Sequence, residues 1–155
     1  MQGRGETVYA LVRLVRPMTL TSARVVERSL QDRGLTVGMR AVLEVVSETG
    51  PRTVPGIARA LDVSRQATQR LVNELLEGGH VSATTNPAHR RSQLIGMTPQ
   101  GTSAFESIRR QETEMLAALA PEISGPALDT ALEVMRAVAR DIRRNANAPT
   151  AIEEE

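Results

Sequence analysis

Residues 53 to 79 read TVPGIARALDVSRQATQRLVNELLEGG, and this stretch decides the fold. Thr53 offers a hydroxyl to the free amides of a first helical turn, where Pro55 is tolerated because its missing N–H would have no partner anyway. Ile57, Ala58 and Leu61 recur at helical spacing, which predicts a very short helix. Asp62-Val63 makes a tight turn, Ser64 caps a longer helix to about Glu77, and Gly78-Gly79 ends it. Two helices joined by a turn of about three or four residues give the outline of a helix-turn-helix.

A wheel of the second helix separates two faces. Ala67, Leu71 and Leu75, with Thr68, Val72 and Leu76, point to a core, whereas Arg65, Gln66, Gln69, Arg70 and Asn73 point outward with no acid before Glu74. A merely solvated face mixes Glu with Lys and Arg for i,i+4 pairs. This one carries the side chains that read bases: Arg for guanine O6 and N7, Gln and Asn for adenine N6 and N7. Ser64, at the helix start, suits a phosphate through its hydroxyl and the free amides. The DNA-binding candidates are Ser64, Arg65, Gln66, Thr68, Gln69, Arg70 and Asn73 on this helix, with Thr68 also in the core set.

Beyond the glycines, Val81, Ala83 and Thr85 alternate with Ser82 and Thr84 as in a half-buried strand, and Gln93 to Met97 supplies a second. The loop between them begins with the turn residues Asn86-Pro87 and carries Arg90 and Arg91 at its tip, which suits a narrow, electronegative minor groove. Thr98-Pro99 opens a helix to about Leu119, and a last helix covers about Ala127 to Arg144. In that last helix Leu128, Leu132, Met135, Ala139 and Ile142 step like a coiled-coil seam, beside a second stripe of Ala131, Val134 and Val138. Upstream, residues 6 to 33 are helical, with Val8, Leu11, Val15 and Met18 as one stripe. Pro17 predicts a kink there, or two shorter helices with the second from about Thr21 carrying Ala23, Val26 and Leu30 inward. Gly34 ends that segment, and Thr36 caps a helix from Val37 to Glu48 with Ala41, Val42, Val45 and Val46 buried.

Composition narrows the function. The chain has 155 residues, no Cys and two His, so cysteine nucleophiles, disulfides and Cys-ligated metals are excluded. The sparse histidines and the lack of a Gly-rich phosphate loop argue against an enzyme; no metal, cofactor or catalytic residue is expected. All 19 basic residues are Arg, the side chain suited to phosphates and base edges, although an all-Arg usage equally fits genome composition. Between Arg52 and Gly101 six arginines face three acids, so the middle of the chain is basic. No segment approaches the apolar run of about 18 residues that a membrane span needs, and a cytoplasmic location is expected.

At this point the sequence resembles the MarR family, the multiple antibiotic resistance type of bacterial transcriptional regulators. The likeness runs through Gly34-Leu35-Thr36, Val54 to Leu61, Ser64 to Leu76, Gly79 to Val81 and Met97-Thr98-Pro99-Gln100-Gly101. The wing is similar to the family's Asn-Pro-x-Asp-Arg-Arg pattern at Asn86, Pro87, Arg90 and Arg91, with His89 where Asp is common. The resemblance implies a mainly α fold with a small β-hairpin wing, a winged helix-turn-helix flanked by N- and C-terminal dimerisation helices. It further implies a homodimer on a pseudopalindromic double-stranded DNA operator, often released by a small anionic or phenolic effector. The expected organisation is residues 1–35 as the N-terminal dimerisation region, 36–98 as the DNA-binding domain, 99–144 as C-terminal dimerisation helices and 145–155 as a flexible tail. Dimerisation is expected through Val8, Leu11, Val15, Leu128, Leu132, Met135, Ala139 and Ile142, since apolar helices at both ends of so short a chain exceed what one winged helix can bury. Tyr9, Arg13 and Arg16 suit an aromatic acid, although solvent-facing arginines are the plainer reading. His80 reads as a capping or packing residue and His89 as a solvated loop residue. The function expected is a sequence-specific DNA-binding repressor. The alternative is a winged-helix module that dimerises and binds protein without reading DNA.

Overall fold

Four helices open on a hydroxyl that satisfies an otherwise orphaned amide. Thr36 accepts from the Met39 N–H at 3.2 Å, Thr53 from Gly56 at 3.2 Å, Ser64 from Ala67 at 3.1 Å and Thr98 from Gly101 at 3.0 Å. The computed structural model describes residues 3–89 and 91–146, with the backbone alone for 23–25, 28, 29 and 31. In it these caps start α2 (Val37–Thr49), α3 (Val54–Leu61), α4 (Arg65–Glu77) and α5 (Pro99–Ala117). The other elements are α1 (Arg4–Gln31), α6 (Gly125–Ala146), and the antiparallel strands β1 (Val81–Thr85) and β2 (Gln93–Met97). The fold of the described residues is thus mainly helical, with a two-stranded hairpin wing. The chain divides into two compact units: Arg16–Leu116, and residues 3–15 together with 117–146.

Pro17 does not split the first segment into two helices, because a single helix of 28 residues runs through it. A proline forfeits its own N–H bond and crowds the preceding turn, at about 3 kcal/mol, a cost that a helix this long sustains. The expected inward placement of Ala23 and the nature of a tail beyond Ala146 lie outside the described residues.

Within Arg16–Leu116 the core gathers Leu30, Met39, Val42, Leu43, Val46, Ile57, Val72, Leu75, Val81, Ile95, Phe105 and Ile108. The buried face of α2 is rotated from the expected one. Met39, Val42, Leu43 and Val46 are buried while Ala41 and Val45 are only half-buried, because the i, i+3, i+4, i+7 set starting at Met39 holds the larger side chains. Arg40, on the flank of this helix, makes a two-pronged contact with Glu112 of α5, its Nε donating at 2.7 Å, and a third bond to Glu44 at 3.0 Å. The guanidinium also lies 5.9 Å from the Phe105 ring centre. Its pKa is raised, chiefly by the Glu112 hydrogen bond and against the opposing effect of burial.

The wing is tied down at both edges. Val81 faces Met97 and Ala83 faces Ile95 across the hairpin, which puts Val81 and Ile95 in the core. Arg52 adds a one-residue bridge on the far side of β2, exchanging backbone bonds with Ile95 at 3.0 and 2.8 Å. At the hairpin base, the Thr98 hydroxyl donates to the Gly79 carbonyl at 2.7 Å and the Gln100 amide donates to Gly78 at 3.1 Å. Gly79 makes this turn with φ +70, a conformation that side chains resist.

Gly101 is the tightest point: a Cβ there would stand 1.9 Å from the His80 carbonyl oxygen. Backbone cannot give way as a flexible side chain does, so Gly101→Ala is expected to destabilise the fold by about 3 kcal/mol. Urea unfolding of the purified variant measures this, and a loss under about 1 kcal/mol rejects the close approach.

Candidate nucleic-acid interface

The polar face of α4 is built by exclusion. Thr68, Val72 and Leu75 are buried and Ala67, Leu71 and Leu76 half-buried, which leaves Arg65, Gln66, Gln69, Arg70 and Asn73 exposed as the wheel predicts. Ser64 stands exposed at the start of the helix, its hydroxyl engaged with the Ala67 amide. Thr68 is corrected: it is fully buried and its hydroxyl donates to the Ser64 carbonyl at 3.1 Å, so it cannot reach DNA. Its polar atom is satisfied within the helix itself, the usual outcome for a buried Thr.

Two of the exposed side chains are already joined. Gln69 Nε2 donates to Asn73 Oδ1 at 2.9 Å, one helical turn on. Their i,i+4 spacing was the signal that could have shown this pair in the sequence.

The wing loop is organised by Asn86. Its Oδ1 accepts from the Ala88 amide at 3.0 Å and its Nδ2 donates to Ser92 Oγ at 3.0 Å, while the Ser92 hydroxyl donates to the His89 carbonyl at 3.0 Å. This is an Asx-type turn, in which a side chain replaces a backbone partner. Between α4 and the loop lies a cleft of about 590 Å³ that brings Arg65, Gln69 and Asn73 into one lining with Arg91 and His89. No acid lines it. Ser64, Gln66 and Arg70 lie outside this lining, and Arg90 lies outside the described residues.

The remaining candidates fall elsewhere. Val8 and Leu11 are half-buried, whereas Val15, Leu128, Leu132, Met135, Ala139 and Ile142 are exposed, and no described residue of α6 is buried. Tyr9 and Arg13 stack at 5.8 Å, and both are exposed, as is Arg16. The His80 ring nitrogen Nδ1 lies 2.8 Å from the Gly78 carbonyl oxygen. Among the described residues no three His, Asp or Glu side chains gather as metal ligands, and no helix is long and apolar enough to cross a membrane.

A helix-turn-helix followed by a two-stranded hairpin defines a winged-helix protein. The MarR family model matches residues 33–92. A crystal structure of a MarR family transcription regulator is 32% identical and superposes with a TM-score of 0.78 over 93% of this chain and 95% of that one. MarR of Staphylococcus aureus, in complex with salicylate and kanamycin, shares the fold at 15% identity, with a TM-score of 0.75 over 90% of this chain and 92% of that one. The transcriptional activatory protein BadR of Rhodopseudomonas palustris is 34% identical over 82 residues, 51% of this chain and 47% of its own length. The chain likewise spans 54% of a relative from Thauera aromatica, so it covers about half the length of these two proteins. The chain belongs to the MarR family of DNA-binding transcriptional regulators, which is not a family of enzymes.

Removing the Asn86 side chain deletes two bonds of the loop and leaves α4 untouched. Asn86→Ala is therefore expected to cost about 1 to 2 kcal/mol of local stability. Amide exchange at Ala88 should accelerate while that of the α4 amides stays unchanged; equal protection at Ala88 in both proteins rejects the assignment.

Proposed function

We propose that the protein is a homodimeric, sequence-specific repressor that binds a pseudopalindromic operator with α4 in the major groove and the wing loop in the adjacent minor groove. The observation that carries this reading is the lining shared by Arg65, Gln69, Asn73 and Arg91, which holds no acid among the described residues. Residues 36–98 form the DNA-binding part and the flanking helices the dimer. Arg65, Gln69 and Asn73 reach base edges, Ser64, Gln66, Arg70 and Arg91 hold phosphates or groove walls, and Arg90 adds its charge. An interaction module that ignored DNA would carry acids or apolar side chains on the outward face of α4, where none stands before Glu74.

The dimer is supported by apolar surface that a single chain leaves in water. Leu128 is 53% exposed, Leu132 48% and Met135 38% along one side of α6, and contiguous apolar surface of this kind marks an interface. Release by a small anionic or phenolic ligand is the further part of the reading, motivated by the exposed Tyr9, Arg13 and Arg16 and by salicylate in the Staphylococcus aureus complex. A promoter fusion decides the sign of regulation. Derepression on deleting the protein supports repression, and lost expression instead assigns the activating role that the Rhodopseudomonas palustris relative carries in its name.

Sedimentation at micromolar concentration is expected to give a dimer of twice 16.8 kDa, and Leu132→Arg a folded monomer. A wild-type monomer rejects the dimer. Affinity for a duplex selected from a randomised pool should fall steeply with salt, with a log-log slope of several units, and half-sites should lie about 10 to 10.5 base pairs apart. Gln69→Ala should cost about 1 to 3 kcal/mol on that duplex and little on a scrambled one, whereas Arg91→Ala should weaken both and lower the slope by about one per protomer. If Gln69→Ala weakens both duplexes alike, α4 does not read sequence.

A further inference from the structure

The cleft between α4 and the wing contains one ionisable side chain that the DNA-binding reading does not use. His89 is exposed at the loop tip, two residues from Arg91 in sequence, and lines the same cleft as Arg65, Gln69 and Asn73. Its backbone is fixed: the N–H donates to the Asn86 carbonyl at 3.1 Å and its own carbonyl accepts from the Ser92 amide at 2.8 Å. Among the described residues its ring has no hydrogen-bond or ion-pair partner, so the imidazole is presented to whatever enters the cleft.

The surroundings of the ring decide how it behaves. Arg65 faces the cleft from α4 and Arg91 from the loop; the α3 start contributes Thr53, Val54 and Pro55, which carry no charge. Gln69 and Asn73 are neutral. Among the described residues no carboxylate lines the cleft. A DNA phosphate arriving there supplies the missing anion. Histidine is the side chain whose charge changes between about pH 5 and 8.

We propose that His89 is a further DNA-contacting residue, protonated against a phosphate at the wing, and that it couples DNA affinity to pH. This rests on the reading of α4 and the wing as the DNA interface. The sign follows from linkage: the complex holds the proton more tightly than the free protein, so affinity is gained as pH falls and lost as it rises. Proton uptake therefore accompanies docking.

The test is a titration of the selected and scrambled duplexes at constant ionic strength between about pH 5.5 and 8. For the wild-type dimer, lowering the pH across this range should tighten binding to both duplexes by about tenfold for the two wings together. It should also steepen the salt slope by about two, one phosphate contact per protomer. His89→Gln should bind at every pH as the wild type does at the alkaline end, with a flat profile. His89→Arg carries a permanent charge and should bind at every pH as the wild type does at the acidic end. His80→Gln is the control, because the chain has only these two histidines and the His80 ring is engaged with Gly78; it should keep the wild-type profile. If His89→Gln retains the wild-type pH dependence, or His80→Gln abolishes it, the proposal is overturned. Failure of the underlying interface reading shows separately, as no preference for the selected duplex at the alkaline end, where His89 is uncharged.

Discussion

The contact between Gly101 and the His80 carbonyl is the constraint on which the winged helix depends. Gly78 and Gly79 end α4, His80 leads into β1, and Thr98 and Gly101 open α5, so this contact joins the end of the outward-facing helix to the start of the next. The Thr98 hydroxyl spans it, donating to Gly79 and accepting from the Gly101 amide. Glycine is required because the carbonyl occupies the space a Cβ would take. The register of the hairpin follows, since Val81 facing Met97 is the first pair beyond the contact, and a slip of one residue would turn Val81 and Ile95 out of the core.

A second tie acts at the other side of the same unit. Arg40 of α2 grips Glu112 of α5, and both are shielded, at 19% and 12% exposed. A two-pronged Arg and carboxylate contact fixes direction as well as distance, which a lysine could not do. Glu44 and the Phe105 ring complete the surroundings of the guanidinium. The loss of either partner would leave a charge in a poorly hydrated place, so the pair fixes how α2 and α5 lie within this unit more than it adds to net stability.

Much of this was legible from residue types at fixed offsets. The hydroxyl caps at Thr36, Thr53, Ser64 and Thr98, the alternation in β1 and the outward face of α4 all depend on neighbours within one or two turns. What the sequence hid depends on distance along the chain or on competition between local rules. Arg52 joins the wing as a single bridging residue, too short to have a period. Arg40 and Glu112 are 72 positions apart. The α2 face was misplaced because small Ala41 and Val45 fit an apolar stripe as well as Met39 and Leu43 do, and side-chain size decides which set goes in. Thr68 belonged to both sets on paper, and burial with an internal hydrogen bond settled it. Of the candidate interface, the helix face was visible in advance, but the cleft that joins it to Arg91 and His89 needed the hairpin in place.

The bond between Gln69 and Asn73 has a consequence for how recognition is divided between folding and binding. Long amide side chains on a helix surface sample several rotamers, and immobilising one at an interface costs about 0.5 to 1.5 kcal/mol. Here Gln69 is steadied by Asn73 before any DNA arrives. The bond uses one proton of the Gln69 amide and leaves its second proton and its oxygen, the donor and acceptor that a two-pronged contact with adenine requires. On the proposed reading, part of the ordering is completed when the chain folds, so the approaching base meets a template already set. A wrong base would then meet donors and acceptors that cannot turn aside to suit it.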